Sequence, residues 1–199
     1  MKKTQPTAIV PAAVDAARAI ADTRRWLERA VIGLNLCPFA KAVHAKQQVH
    51  YAVHMPADDA AGLIDALLAE AQALIERPSA ERDTTLLIAP RALDDFLDFN
   101  DFVARAERRM KKAGFEGTLQ LASFHPCFQF AGSNADEIAN ATNRAPYPTL
   151  HLLREESVDR AVEAFPDADA IFGRNIETLE ALGATGWAAL DVGPGSSAR

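Results

Sequence analysis

Apolar residues near the start of the chain recur at helical spacing. Ala13, Ala17, Ile20, Trp26, Leu27, Ala30, Val31 and Leu34 fall on one face, with Arg18, Asp22, Arg25 and Arg29 on the other. The pattern predicts an amphipathic helix that ends before Cys37, because Pro38 disfavours α conformation at the residue ahead of it. The period then changes. "QQVHYAVHM" (47–55) reads as a strand, and Asp58 or Asp59 starts a helix whose stripe is Leu63, Leu67, Leu68, Ala71, Leu74 and Ile75. "TTLLIAP" (84–90) is a short, β-branched apolar run and predicts a buried strand. A third helix runs from about Asp94 to Ala113. Phe96, Phe99, Phe102, Val103, Ala106 and Met110 form its stripe, and Gly114 is its C′ residue. "GTLQLASFHP" (117–126) is the third strand. A long polar connection follows, with a short helix capped by Ser133 and Asp136. "YPTLHLLRE" (147–155) is the fourth strand, where Pro148 is tolerated at the start. Two helices close the chain, one from near Ser157 and one carrying Ile171, Ile176, Leu179 and Leu182 to Gly183.

Strands alternating with helices predict an α/β fold with crossover connections. The expectation is a single domain over residues 12–185, flanked by flexible tails at 1–11 and 186–199. Its four-stranded sheet is mostly parallel or mixed and packs with five or six helices. The pattern leaves the direction of the fourth strand open. It also leaves the X–Pro bonds at Pro146 and Pro148 as candidates for cis geometry, Tyr147–Pro148 above all.

Composition narrows the functional classes. A net charge of -6 argues against a non-specific nucleic-acid binder, which needs a basic face for phosphates. A local arginine cluster for a small anion remains compatible with that charge. No run of 18 apolar residues occurs, so no membrane span is expected. Two cysteines are too few for a disulfide framework, and a reduced, cytoplasmic compartment is the expectation. An oligomer is compatible with the large apolar helix faces. The sequence identifies no cofactor. His50 and His54 share a strand face, but no third metal ligand is placed and no zinc spacing is present.

Candidate chemistry concentrates in three stretches. In open α/β sheets ligands sit beyond the carboxyl ends of strands, which here carry His54, Arg91 and His125 with Cys127. "NATNRAPYPTLHLLRE" (140–155) brings Asn143 and Arg144 into a proline-stiffened loop. Arg144 offers a fork for a carboxylate or phosphate, whereas for Arg154 a surface pairing with Glu155 or Glu156 is the better expectation. His151 lies mid-strand, where a lone histidine is more often a satisfied core residue. "GLNLCPFAK" (33–41) holds Cys37, with Asn35 and Lys41 beside it as candidate binding residues. The Cys-Pro-Phe look of a glutaredoxin site is misleading, because this cysteine follows a long helix rather than a strand. A nucleophilic Cys37 would need a base, and His125 is the candidate. Taken alone, a buried small hydrophobe at a helix end is the better expectation for it.

"WLERAVIGLNLCPFAKAV", "LASFHPCFQFAGS", "ATNRAPYPTLHLLREESVDRA" and "RNIETLEALG" together resemble the bacterial domain-of-unknown-function family 1415, over about Trp26 to Gly183. The resemblance implies a single-domain, cytoplasmic protein with no established activity. The family pattern includes Asn35 to Phe39, His125-Pro126, Gln129-Phe130, and Thr142 to Arg144 leading into Pro146 to Pro148. The chain departs from it at Cys127, where the pattern has an acidic residue, and at Ala145, where it has serine. A Cys37–Cys127 redox couple is therefore no family activity. Two classes of function stay open. One is a hydrolase or group transferase using Cys37 with His125, in which Gln129, Asn143 and Arg144 bind an anionic or amide-bearing substrate. The other is a non-catalytic protein, either binding a small anion through the same loops or serving as a structural or interaction module.

Overall fold

A computed structural model describes residues 14–164 and 170–195. The expected loose tail at 1–11 and the last four residues of the C-terminal tail lie outside them. Helix α1 (Ala16–Trp26) is capped by Asp15, whose side chain accepts the Arg18 N–H. It runs without a break into a π-helix, Leu27–Ile32. After α2 (Ala40–Ala45) come β1 (Val49–Val53), α3 (Ala60–Ile75), β2 (Thr84–Ile88), α4 (Phe96–Lys112) and β3 (Leu119–Phe124). A 3-10 turn (Ile138–Asn143) precedes β4 (Thr149–Arg154), α5 (Glu155–Glu163) and α6 (Ile171–Ala189).

The sheet order is β1-β2-β4-β3. β1 and β2 pair in parallel through α3, while β4 is antiparallel to both β2 and β3. The fold is thus an α/β domain with a mixed sheet. Three strands run one way, and β4 fills the gap between two of them. β2 is buried along its whole length, as a central strand covered on both faces must be.

The two faces are packed differently. Thr85 and Leu87 of β2, Leu150 and Leu152 of β4, and Leu119 and Leu121 of β3 turn toward α3 and α4. There Leu63, Leu67, Phe99 and Phe102 close the main core. The opposite face is covered by α1, the π-helix, α2 and the C-terminal segment. Trp26, Leu27 and Ala30 pack there near Val49, Tyr51 and Phe124, and Tyr147 packs with Ile88 and Ala19.

The C-terminal boundary differs from the expected one. Gly183 takes φ 67°, ψ 173°, a non-helical geometry that glycine adopts without strain; the helix breaks there as expected, and a second helical stretch follows it to Ala189. Beyond it the chain stays on the domain. Trp187, Leu190 and Val192 join Trp26, while Arg25 donates to the carbonyls of Asp191 and Gly193. The short helix after β3 is not capped by Ser133 or Asp136; Ser133 Oγ instead lies 2.8 Å from Asn140 Oδ1 and 3.0 Å from Phe130 O, with one hydrogen to give to either. All described peptide bonds are trans, including Tyr147–Pro148.

Asp22 fastens these parts together. Its carboxylate is fully buried and accepts from Arg25 Nη2 at 2.7 Å, Tyr147 Oη at 2.7 Å and Gly195 N at 2.9 Å. Burial alone would raise the carboxyl pKa. Arg18 Nε adds a fourth donor at 3.3 Å, and the bonds from Gly195, Tyr147 and Arg25 outweigh burial and hold Asp22 below the ordinary carboxylate value. A depressed folded-state pKa gives stability that is present at neutral pH and is lost as pH falls through that value. Tyr147→Phe removes one donor to a buried charge and is expected to cost about 1.5–3 kcal/mol at pH 7. Urea denaturation would show this, and the deficit should shrink as Asp22 protonates in acid.

Candidate functional site

A cavity of 350 Å³ lies between the sheet and its α1 side. Its floor is a row of alternate strand residues: Leu86 on β2, His151 on β4 and Ala122 on β3, directly paired across the sheet. Ala122 supplies a methyl group where its neighbours supply large side chains, which leaves the hollow. The roof is Trp26, Leu27 and Val31. The π-helix that carries Leu27 and Val31 has the wide bond Gly33 N–H to Glu28 O at 3.0 Å, and left-handed Asn35 ends it with Leu36 N–H donating to Val31 O at 2.9 Å. π-turns are rare and are frequent at functional sites. Val158 and Ala161 of α5 and Phe39 and Val43 near α2 close the sides.

Few polar atoms reach this space. Thr84 Oγ1 donates to Leu152 O at 2.6 Å and lies 2.6 Å from His151 Nε2. The hydroxyl has one hydrogen; with that hydrogen on Leu152 O, the oxygen accepts from His151 Nε2–H and Nδ1 is bare. Burial in apolar surroundings pushes His151 down to about 4. Phe124 stands beside the imidazole, with centroids 6.1 Å apart, and Trp26 meets Phe124 edge-on at 5.1 Å. At the amino ends of β2 and β3, the charged lining groups are engaged elsewhere. Asp83 Oδ1 accepts from Ser157 Oγ at 2.7 Å, and Arg154 donates to the carbonyls of Leu74, Arg77 and Arg82 at the end of α3. Arg154 therefore clasps a helix terminus rather than Glu155 or Glu156.

Cys37 lines the same cavity. The loop that holds it is set by the left-handed Asn35, at φ 55°, and by Asn175 of α6, whose Nδ2 donates to Leu36 O at 2.9 Å. Burial raises the Cys37 thiol and outweighs the backbone N–H groups of Phe39 and Ala40 that bond its sulfur. Asn35 and Lys41 are exposed on the outer side of the loop.

His125 is on the other face of the sheet. It is fully buried against Phe96 and Phe99 of α4, at centroid distances of 5.4 and 5.0 Å. Nδ1 accepts the Cys127 N–H at 3.0 Å, and Nε2 therefore donates to Leu93 O at 3.0 Å. Both nitrogens are committed, and burial pushes the imidazole down to about 4. The sheet separates Cys37 from His125 and from Cys127, and both thiols are free. The remaining motif residues stitch the 125–148 connection. Gln129 Nε2 donates to Ser133 O at 2.5 Å, Asn143 O accepts the His125 N–H at 3.2 Å, and Arg144 donates to Phe128 O at 3.1 Å and Ala135 O at 2.6 Å. His50 sits 3.7 Å from Glu70 and His54 3.7 Å from Asp59, at opposite ends of α3. No group of three metal-ligating side chains converges among the described residues.

His151, expected from sequence to be a satisfied core residue, lines the cavity instead. Its signal was the facing row of small and aromatic residues, Ala122 and Phe124, which becomes readable only once β3 and β4 are paired in register.

Fold and cavity together define a single α/β domain with an apolar chamber under its N-terminal helix. The profile of the family described as "protein of unknown function (DUF1415)" matches residues 18–189, and the chain belongs to that family. No curated protein and no solved structure matches it. Among the described residues no helix is long and apolar enough to cross a membrane.

Two measurements follow from this geometry. In a Cys127→Ser background, alkylation of Cys37 should rise with pH to a midpoint above that of an unburied thiol, and it should not shift in a folded His125 variant. The second concerns acid stability. His125 and His151 protonate near pH 6.5 when unfolded and near 4 when folded, so between these values the unfolded chain holds more protons. Stability therefore falls as pH drops from 6.5 to 4. His125→Asn should flatten that slope by close to one proton, read from urea midpoints across the range.

Proposed function

We propose that this protein binds a small, uncharged, largely apolar molecule in the chamber between the sheet and the π-helix. The observation that carries the reading is the chamber itself. Its 350 Å³ falls within the size range of small-ligand pockets, and its walls are aliphatic and aromatic with only a few polar groups. A sheet face needs covering, and the cheapest cover is side-chain volume. Here Ala122 and Ala161 withhold that volume at the centre, while Trp26 and Phe124 stand at the edge.

The alternatives have weaker support. A hydrolase or transferase using Cys37 needs a thiolate, and burial favours the neutral thiol. No histidine nitrogen is available to it from His125. A small anion held by Arg144 would compete with the two carbonyls to which that guanidinium already donates. An anion in the chamber would meet no uncompensated cation, and an unpaired charge in apolar surroundings is costly. Cys37 enters the reading as a polarizable wall atom.

The test is to fill the chamber. Ala122→Leu adds three carbons and should leave stability within about 1.5 kcal/mol of wild type or raise it, because buried methylenes stabilise by about 0.8 kcal/mol each. Small neutral aromatics such as indole should raise the wild-type melting temperature and leave that of Ala122→Leu unmoved. Equal shifts in the two proteins, or none in wild type, would refute a ligand chamber at this place.

A further inference from the structure

β4 reads Thr149-Leu150-His151-Leu152-Leu153, and its alternation turns one imidazole onto the chamber face among aliphatic neighbours. A histidine there is expensive unless both ring nitrogens are used. One is: Nε2–H is held by Thr84 Oγ1 at 2.6 Å, and the same hydroxyl is locked by Leu152 O at 2.6 Å. With the hydroxyl hydrogen given to Leu152 O, the ring proton sits on Nε2. Nδ1 then presents a lone pair and no hydrogen.

That lone pair makes no hydrogen bond among the described residues, yet Nδ1 is not among the sealed, unpartnered polar atoms, which are Thr23 Oγ1, Tyr51 Oη and His54 Nε2. The ring is half-buried and lines the chamber, so Nδ1 is open to it. His151 is paired with Leu86 and Ala122, so the acceptor sits on the floor beside the smallest side chain, where a ligand has room to approach. The contrast with His125 is direct. That imidazole is also desolvated, but both its nitrogens bond the backbone, and it has no acceptor left to offer.

Resting on the small-molecule reading above, we infer that His151 Nδ1 selects the ligand: the molecule bound is a neutral, compact one that carries a hydrogen-bond donor, of the phenol, indole or alcohol class. The donor meets Nδ1, and the apolar body lies under Trp26, Leu27 and Val31. An acceptor-only molecule would set its lone pair against that of the imidazole. A carboxylate would do the same and carry an unpaired charge. Desolvation of His151 keeps it from becoming a donor above about pH 4, so the selection holds at neutral pH.

Two probes of nearly the same shape separate donor from body: 4-methylphenol and 4-fluorotoluene. Their dissociation constants would be measured at pH 7 by quenching of tryptophan fluorescence, on wild type and on His151→Leu. The ring nitrogens of wild type would be followed by ¹⁵N NMR, which needs no variant to fold. The expected result is that wild type binds 4-methylphenol about fivefold or more tightly than 4-fluorotoluene, the size of one buried hydrogen bond. His151→Leu should lose that preference, and the His151 Nδ1 resonance should move on adding the phenol and not the fluoroarene. Equal binding of the two probes, with Nδ1 unmoved, overturns the role of His151 while leaving the chamber a ligand site. Binding of neither probe overturns both.

Discussion

A buried carboxylate holds this architecture in place. Asp22 lies inside α1 with no exposure, and it gathers Arg25, the Tyr147 hydroxyl and the Gly195 amide. These groups come from the first helix, the approach to β4 and the end of the chain. An ionised group survives there only because its lone pairs are filled by donors, two of them neutral. The clamp therefore fixes how α1 crosses the sheet. It also fixes where the π-helix continuing from α1 stands above β3 and β4. The roof of the chamber begins one turn further along the same helix, at Trp26.

The chamber is what the two faces of the sheet do differently. On the α3 and α4 side, leucines and phenylalanines form the main core, and His125 is absorbed as a core residue with both nitrogens bonded. On the α1 side, Ala122 leaves a gap, the π-helix bridges it, and His151 keeps one nitrogen open toward it. The same residue type, with the same depressed basicity, thus does structural work on one face and presents an acceptor on the other. The difference lies in which partners the neighbouring backbone offers.

Much of the fold was legible because it depends on local rules. Helical and strand periods placed every major element within a few residues, Asp59 and Asp95 cap α3 and α4, and Gly114 follows α4 with φ 88°. The direction of β4 was not legible. It depends on a connection of more than 20 residues whose path is set by side-chain bonds from Gln129, Ser133, Asn140 and Arg144, which no period encodes. That insertion also moved the site. An all-parallel sheet would leave a crevice at the carboxyl ends of its strands, where His125 stands. With β4 filling the gap, Tyr147 and Asp22 occupy that end, and the chamber opens lower, near Thr84 and Gln120. Cys37, the expected nucleophile, lines the chamber. Its proposed partner lay across the sheet, because sequence shows which face a residue shares within its own strand and not what covers that face.

The central claim is that an apolar space persists between Ala122 and the π-helix in the folded protein and admits a small molecule. Xenon reports such spaces directly, since dry apolar cavities take it up. A crystal of the protein held under xenon pressure should show the atom seated between Ala122, Leu27 and Val31, close to the His151 ring, with the surrounding side chains unmoved. Leu27, Val31 or Trp26 collapsed onto Ala122, with no xenon bound there, would contradict the account.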